Sequence, residues 1–217
     1  MSIDWIWANG HRIVELTGWH LLLTLVPTVL GLLIAIPIGW WANQSRRMYP
    51  VLVGSAGLLY TIPSLALFVL LPPIIGTKIL DPVNVLIALT VYTVALLVRT
   101  VADGLASTQF EAVEAATAMG YRGLQRLLLV ELPVATPVLI AGIRVAVMTN
   151  VSLVTVAALL GIPQLGSLFT QGFSLNLFMP LAVGIVLCLL LAVVLDFLIV
   201  RIGRALTPWR REVASDK

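Results

Sequence analysis

The sequence predicts an all-α integral membrane protein of about five transmembrane helices, and three observations predict it. Hydrophobic residues make up 60% of the 217 and charged residues 11%, with a mean hydropathy of +1.06. A soluble globule needs more polar surface than that. The charge-free runs have the length a helix needs to cross a bilayer, roughly 20 residues. Nearly all the cations are arginines at the ends of apolar runs, where they mark topology, and they form no patch of the kind that binds nucleic acid.

The first span covers about 19–42. Residues 21–45 carry no charge, Trp19 opens the run and Trp40 and Trp41 close it, as aromatic residues do at membrane interfaces. Asp4, Arg12 and Glu15 precede it and no small-x-small site follows, so the run is expected to be retained and not cleaved as a signal peptide. The second span, about 50–72, has Pro63 in its interior, where proline bends or breaks a helix. The third, about 80–98, ends at Arg99. Residues 145–195 are uncharged, too long a run for one span. Gly161, Pro163, Gln164, Gly172, Asn176 and their neighbours divide it. Span four is then about 132–160, including Arg144, and span five about 178–200, including Asp196. The single cysteine, Cys188, lies in the fifth run and reads as a packing residue. Ile62-Pro63-Ser64-Leu65 and Ile162-Pro163-Gln164-Leu165 are alike over four residues only, too few for an internal repeat.

Five spans place the termini on opposite sides. Arg46, Arg47, Arg99, Arg122, Arg126, Arg201, Arg204, Arg210, Arg211 and Lys217 collect on one side, against Arg12 and Lys78 on the other. The N-terminus is therefore expected outside, and the C-terminus and the 99–132 loop in the cytoplasm. Within that loop the alanine-rich run from Glu114 reads as a helix ended by Gly120. A second short helix follows, with Leu124, Leu127, Leu128 and Leu132 on one apolar stripe and Pro133 opening span four. Such a pair either presents a knob to a partner's groove or forms a solvated amphipathic loop.

The spacing Glu114-Ala115-Ala116, three residues, Gly120, nine residues, Val130, one residue, Leu132-Pro133 resembles the signature of bacterial ABC importer permeases. Valine replaces the usual isoleucine. The resemblance implies the five-span core of the methionine and molybdate importer permeases, one permease domain over 1–217, and a 99–132 segment that docks on a cytoplasmic ATPase. Thr61 to Leu67, Ala141-Gly142-Ile143-Arg144, Gly172 to Pro180 and Asp196 look like the permeases for glycine betaine, carnitine and choline. Many of those have Gly-Ala-Gly-Gly-Leu-Gly after span four, whereas this chain reads Gly161-Ile162-Pro163-Gln164-Leu165-Gly166. The implied partners are a dimer of ABC ATPases that uses ATP and Mg, a second permease copy or a similar subunit, and a separate extracytoplasmic binding protein. The implied place is the bacterial inner membrane.

Arg144 and Asp196 are lone charges inside apolar runs, so each is expected to face protein or a water-filled route. They read first as a clamp pairing the two helices, and second as a pathway feature. Tyr60, Thr61, Pro63 and Ser64 sit mid-span at a proline that frees a carbonyl, either a gate or an ordinary kink. Asn150, Ser152 and Thr155 either line the same route or hydrogen-bond helices together. His11 and His20 are expected at or outside the outer interface. No nucleophile-base constellation, metal-ligand motif or Walker A loop is seen, so ATP hydrolysis is expected in another chain and this chain is expected to need no cofactor. An ABC permease for an amino acid or other small solute is the alternative, then a stand-alone carrier or channel.

Overall fold

The computed structural model describes residues 4–45 and 47–209; Arg46, Arg210, Arg211 and Lys217 of the charge count lie outside them. In chain order the α-helices are α1 (Asp4–Ala8), α2 (Gly10–Gln44), α3 (Met48–Tyr60), α4 (Ser64–Ile75), α5 (Pro82–Ala106), α6 (Phe110–Ala118), α7 (Leu124–Arg126), α8 (Leu132–Val156), α9 (Ser167–Ser174) and α10 (Phe178–Leu206). Among the described residues four helical runs are long and apolar enough to cross a membrane, and the bent pair α3 and α4 passes the same test when taken together, for up to five.

α2 is about 52 Å long at 1.5 Å per residue, more than the roughly 30 Å hydrocarbon core, so it begins well before Trp19 and carries Arg12 and Glu15 beyond the apolar layer. The second span breaks at Pro63, one of the two outcomes the proline predicts: α3 and α4 meet at 98°. Pro63 is extended (φ −60°, ψ 131°) and has no N–H to continue the α3 ladder. α5 starts where Pro82 occupies the first turn and Asp81 accepts from Val83 N at 2.9 Å. It runs to Ala106, two turns past Arg99, so the connection to span four begins at Ser107 and not at residue 99. The second loop helix is not separate either. α7, a π-helical turn over Leu127–Glu131, α8 and a 3-10 turn over Ala157–Leu160 form one run of 37 residues. Pro133 stands inside it: lacking an N–H and crowding the carbonyl of residue 129, it disfavours an α-helical turn just upstream, and the chain widens there instead.

α5 is the hub, packed by α2, α8, α3 and α4. On α2, Gly31, Ala35, Gly39 and Ala42 are all buried at roughly four-residue spacing, a small-residue stripe that lets helix backbones approach. A Cβ on Gly31 would lie 2.5 Å from Thr93 Cβ, and one on Gly39 would lie 2.6 Å from Val101 Cγ1. Leu97, Val98, Val101 and Leu105 of α5 fill this seam toward Ala135 of α8. A second core joins α8, α9 and α10 through Val147, Val151, Leu168, Leu191 and Leu195.

Candidate functional site: the α6 loop, the broken span and the ion pair

α6 carries the Glu114-Ala115-Ala116 triplet. Glu114 and Ala115 are exposed and Ala116 is buried. The helix ends as the glycine predicts: Gly120 N donates to Thr117 O at 3.0 Å, Tyr121 N donates to Ala116 O at 3.1 Å, and Gly120 has φ +91°. The exposed side of α6 carries Glu111, Glu114, Ala115 and Ala118, with Phe110 at its start, a surface that a groove on another protein can accept. Val130, Leu132 and Pro133 are half-buried at the root of α8. The expected leucine stripe is split: Leu127 is buried and Leu132 half-buried, while Leu124 and Leu128 are exposed, because the π turn shifts the helical phase.

The sequence reading missed the contact that ties this region together. Arg126 Nε donates to Glu131 Oε1 at 2.6 Å, and Arg126 Nη1 reaches Thr117 Oγ1 of α6 at 3.5 Å. Glu131 is buried. Five residues apart on an α-helix point about 140° from one another; the wider π turn brings both to one side. The pair closes a cleft of about 400 Å³ bounded by the ends of α2 and α5 and by Phe110 and Val113.

At the broken span, Thr61 Oγ1 donates to Leu58 O at 2.7 Å. The Ile62 carbonyl accepts from the Tyr92 hydroxyl of α5. Tyr92, absent from the sequence candidates, thus holds the elbow, and its ring lies edge-to-face with Tyr60, centroids 5.8 Å apart at 88°. Thr61 and Pro63 are exposed, and Ser64 is half-buried. Asn150 does not join the exposed residues: it is buried and its Nδ2 donates to Thr28 Oγ1 at 3.0 Å and Thr93 Oγ1 at 2.9 Å. It knots α2, α5 and α8, the helix-tying use of an intramembrane amide. Ser152, two residues on, is exposed, and Thr155 Oγ1 donates to its carbonyl at 2.6 Å.

Arg144 and Asp196 meet. Nε to Oδ1 is 2.6 Å and Nη2 to Oδ2 2.9 Å, a two-pronged bond between α8 and α10. The correction concerns burial: the side chains are 45% and 32% exposed on this chain, so the pair lies on an outward face and not inside the bundle. His20, for which the sequence offered only a depth, is fully buried, with Nδ1 3.3 Å from Gln164 Oε1 and Nε2 3.1 Å from Val151 O. Gln164 is likewise buried, Gly166 N donates to its Oε1, and its Nε2 donates to Thr155 O at 3.3 Å. The departure at Gly161 to Gly166 therefore supplies the amide that fastens this turn to α2 and α8.

A family model described as the binding-protein-dependent transport system inner membrane component matches residues 28–208. The chain belongs to that family. It is a permease subunit of an ABC importer. The permease is 35% identical over 212 residues to the osmoprotectant import permease protein OsmW of Salmonella typhimurium, covering 95% of this chain and 97% of that one. It is 29% identical over 203 residues to the glycine betaine/carnitine/choline transport system permease protein OpuCB of Bacillus subtilis, covering 93% and 91%. Its fold matches a chain of the MetNI methionine ABC transporter with a TM-score of 0.83 at 24% identity, over 95% of the permease and all of that chain.

Proposed function

We propose that the permease passes quaternary ammonium osmoprotectants, such as glycine betaine, carnitine or choline, from an extracytoplasmic binding protein into the cytoplasm. The substrates named for OsmW and OpuCB, relatives along almost the whole chain, carry this reading. α6, with its exposed Glu114 and Ala115 and its glycine-ended cap, docks on a cytoplasmic ATPase dimer that hydrolyses ATP with Mg. This chain does no hydrolysis and holds no cofactor. A second permease copy or a similar subunit completes the pathway, with Tyr60, Thr61, Pro63, Ser64 and Ser152 toward it. The N-terminus is outside and the C-terminus cytoplasmic, in keeping with the excess of Arg and Lys on the α6 side.

The deciding experiment is uptake into proteoliposomes holding the permease, its ATPase and its binding protein. ATP-dependent accumulation of labelled glycine betaine or choline, and not of methionine or histidine, is expected. Methionine uptake without betaine uptake overturns the substrate reading. Orientation is read by labelling Gln125→Cys and Ser174→Cys in a Cys188→Ala background: opposite accessibility is expected, and labelling from one side refutes it.

A further inference from the structure

Tyr60 ends α3 about 18 Å along the axis from Met48, close to the middle of a hydrocarbon layer of roughly 30 Å. Tyr60 is 41% exposed. Beside it the chain is non-helical through Pro63, and α4 begins at Ser64 without a side-chain cap. Bare backbone amides are not tolerated against lipid and occur at this depth only where protein or a water-filled route covers them. The exposed face of Tyr60 therefore looks toward the route or the subunit across it, and not toward acyl chains.

The ring is also held. Tyr92 is buried, its hydroxyl is committed to the Ile62 carbonyl, and it meets Tyr60 edge-to-face, so the angle of the exposed ring is set by a side chain that is itself fixed. Within the described spans, between the outer Glu15 and the inner Arg99, the charges are Arg144 and Asp196, bound to each other by two hydrogen bonds. Neither a free carboxylate nor a free guanidinium then stands near the elbow to attract or repel a cation. What remains for a cation there is the negative face of an aromatic ring. A quaternary ammonium group, large and without N–H donors, is the cation such a face suits best.

We propose that the Tyr60 ring, set by Tyr92 at the break between α3 and α4, is a cation–π station for the quaternary ammonium group of a solute in transit. This rests on the substrate class proposed above. A single ring gives weak binding, which suits passage: a site on a route must hold cargo enough to admit it and loosely enough to release it.

The test is equilibrium dialysis of labelled tetramethylammonium against the purified permease–ATPase complex in lipid nanodiscs, without binding protein. Saturable binding is expected; Tyr60→Phe keeps it within about twofold, and Tyr60→Leu weakens it about fivefold or more. The neutral isostere 3,3-dimethyl-1-butanol competes poorly. A phenylalanine series at position 60 with one, two and three fluorines keeps the shape while draining the ring face, and affinity falls stepwise. No saturable binding to the wild type, a flat fluorine series, an unaffected Leu variant, or equal competition by the alcohol each overturns the station. Should the Leu variant fail to assemble, the fluorine series decides alone. Uptake with the binding protein separates the two readings. Methionine import together with intact tetramethylammonium binding overturns the substrate class and leaves the ring's role standing, whereas betaine import with a flat series does the reverse.

Discussion

Gly120 is constrained by its backbone and not by crowding, since its φ is +91° and a Cβ there meets nothing within 4 Å. A left-handed conformation costs an ordinary residue about 1–2 kcal/mol, and asparagine less. Gly120→Val is thus expected to insert and to lose ATP-driven uptake, while Gly120→Asn keeps most of it; wild-type uptake by the Val variant removes the docking role from this turn. The glycine was legible because a helix-ending αL residue has a sequence signature. The Arg144–Asp196 pair was legible for another reason, as each is a lone charge in an apolar run. Its outward face was not, because the side on which two helices leave a pair uncovered depends on their crossing. Either single change, Arg144→Met or Asp196→Leu, is expected to lower the yield of assembled complex, and the double change to recover it. Additive losses in that cycle contradict the clamp. Arg144→Lys is expected to fall between, having lost the second prong.

Spans follow from composition, but their joints follow from local backbone chemistry, and the reading of elements succeeded and failed along that line. Charge-free length located all five spans. It ended α5 too early because Arg99 and Asp103, paired at 3.5 Å, continue the helix into water. It also gave no sign of the π turn, whose trace in the sequence is an Arg and a Glu five apart ahead of a proline. That turn links α6 to α8 through Thr117, Arg126 and Glu131. Glu131→Ala leaves Arg126 without its anion beside a buried site, at a cost of about 3 kcal/mol. The expected result is uptake several-fold lower per ATP hydrolysed. Arg126→Met with Glu131→Leu is expected to restore assembly and not the ratio. A ratio unchanged in both variants means that the pair only packs.

Across the whole molecule, the apolar pattern makes α2, α5 and α8 look alike, yet their small residues sort them. Gly31 and Gly39 press on Thr93 and Val101, and Gly142 of α8 presses on Thr100, while Gly54 and Gly57 of α3 meet nothing within 4 Å. Gly31→Ala is therefore expected to lower the thermal midpoint of the purified complex, and Gly54→Ala to leave it unchanged or raise it slightly, since alanine orders a helix better than glycine. Equal effects from the two substitutions contradict the seam. With glycines pressed on neighbouring side chains at three contacts among these helices, and with the Asn150 amide bonded to Thr28 and Thr93 across them, they have little slack to slide. Close-packed contacts of this kind move as a block or not at all. Relative movement within the bundle is then expected at the α3–α4 elbow, the joint that lies outside this keel.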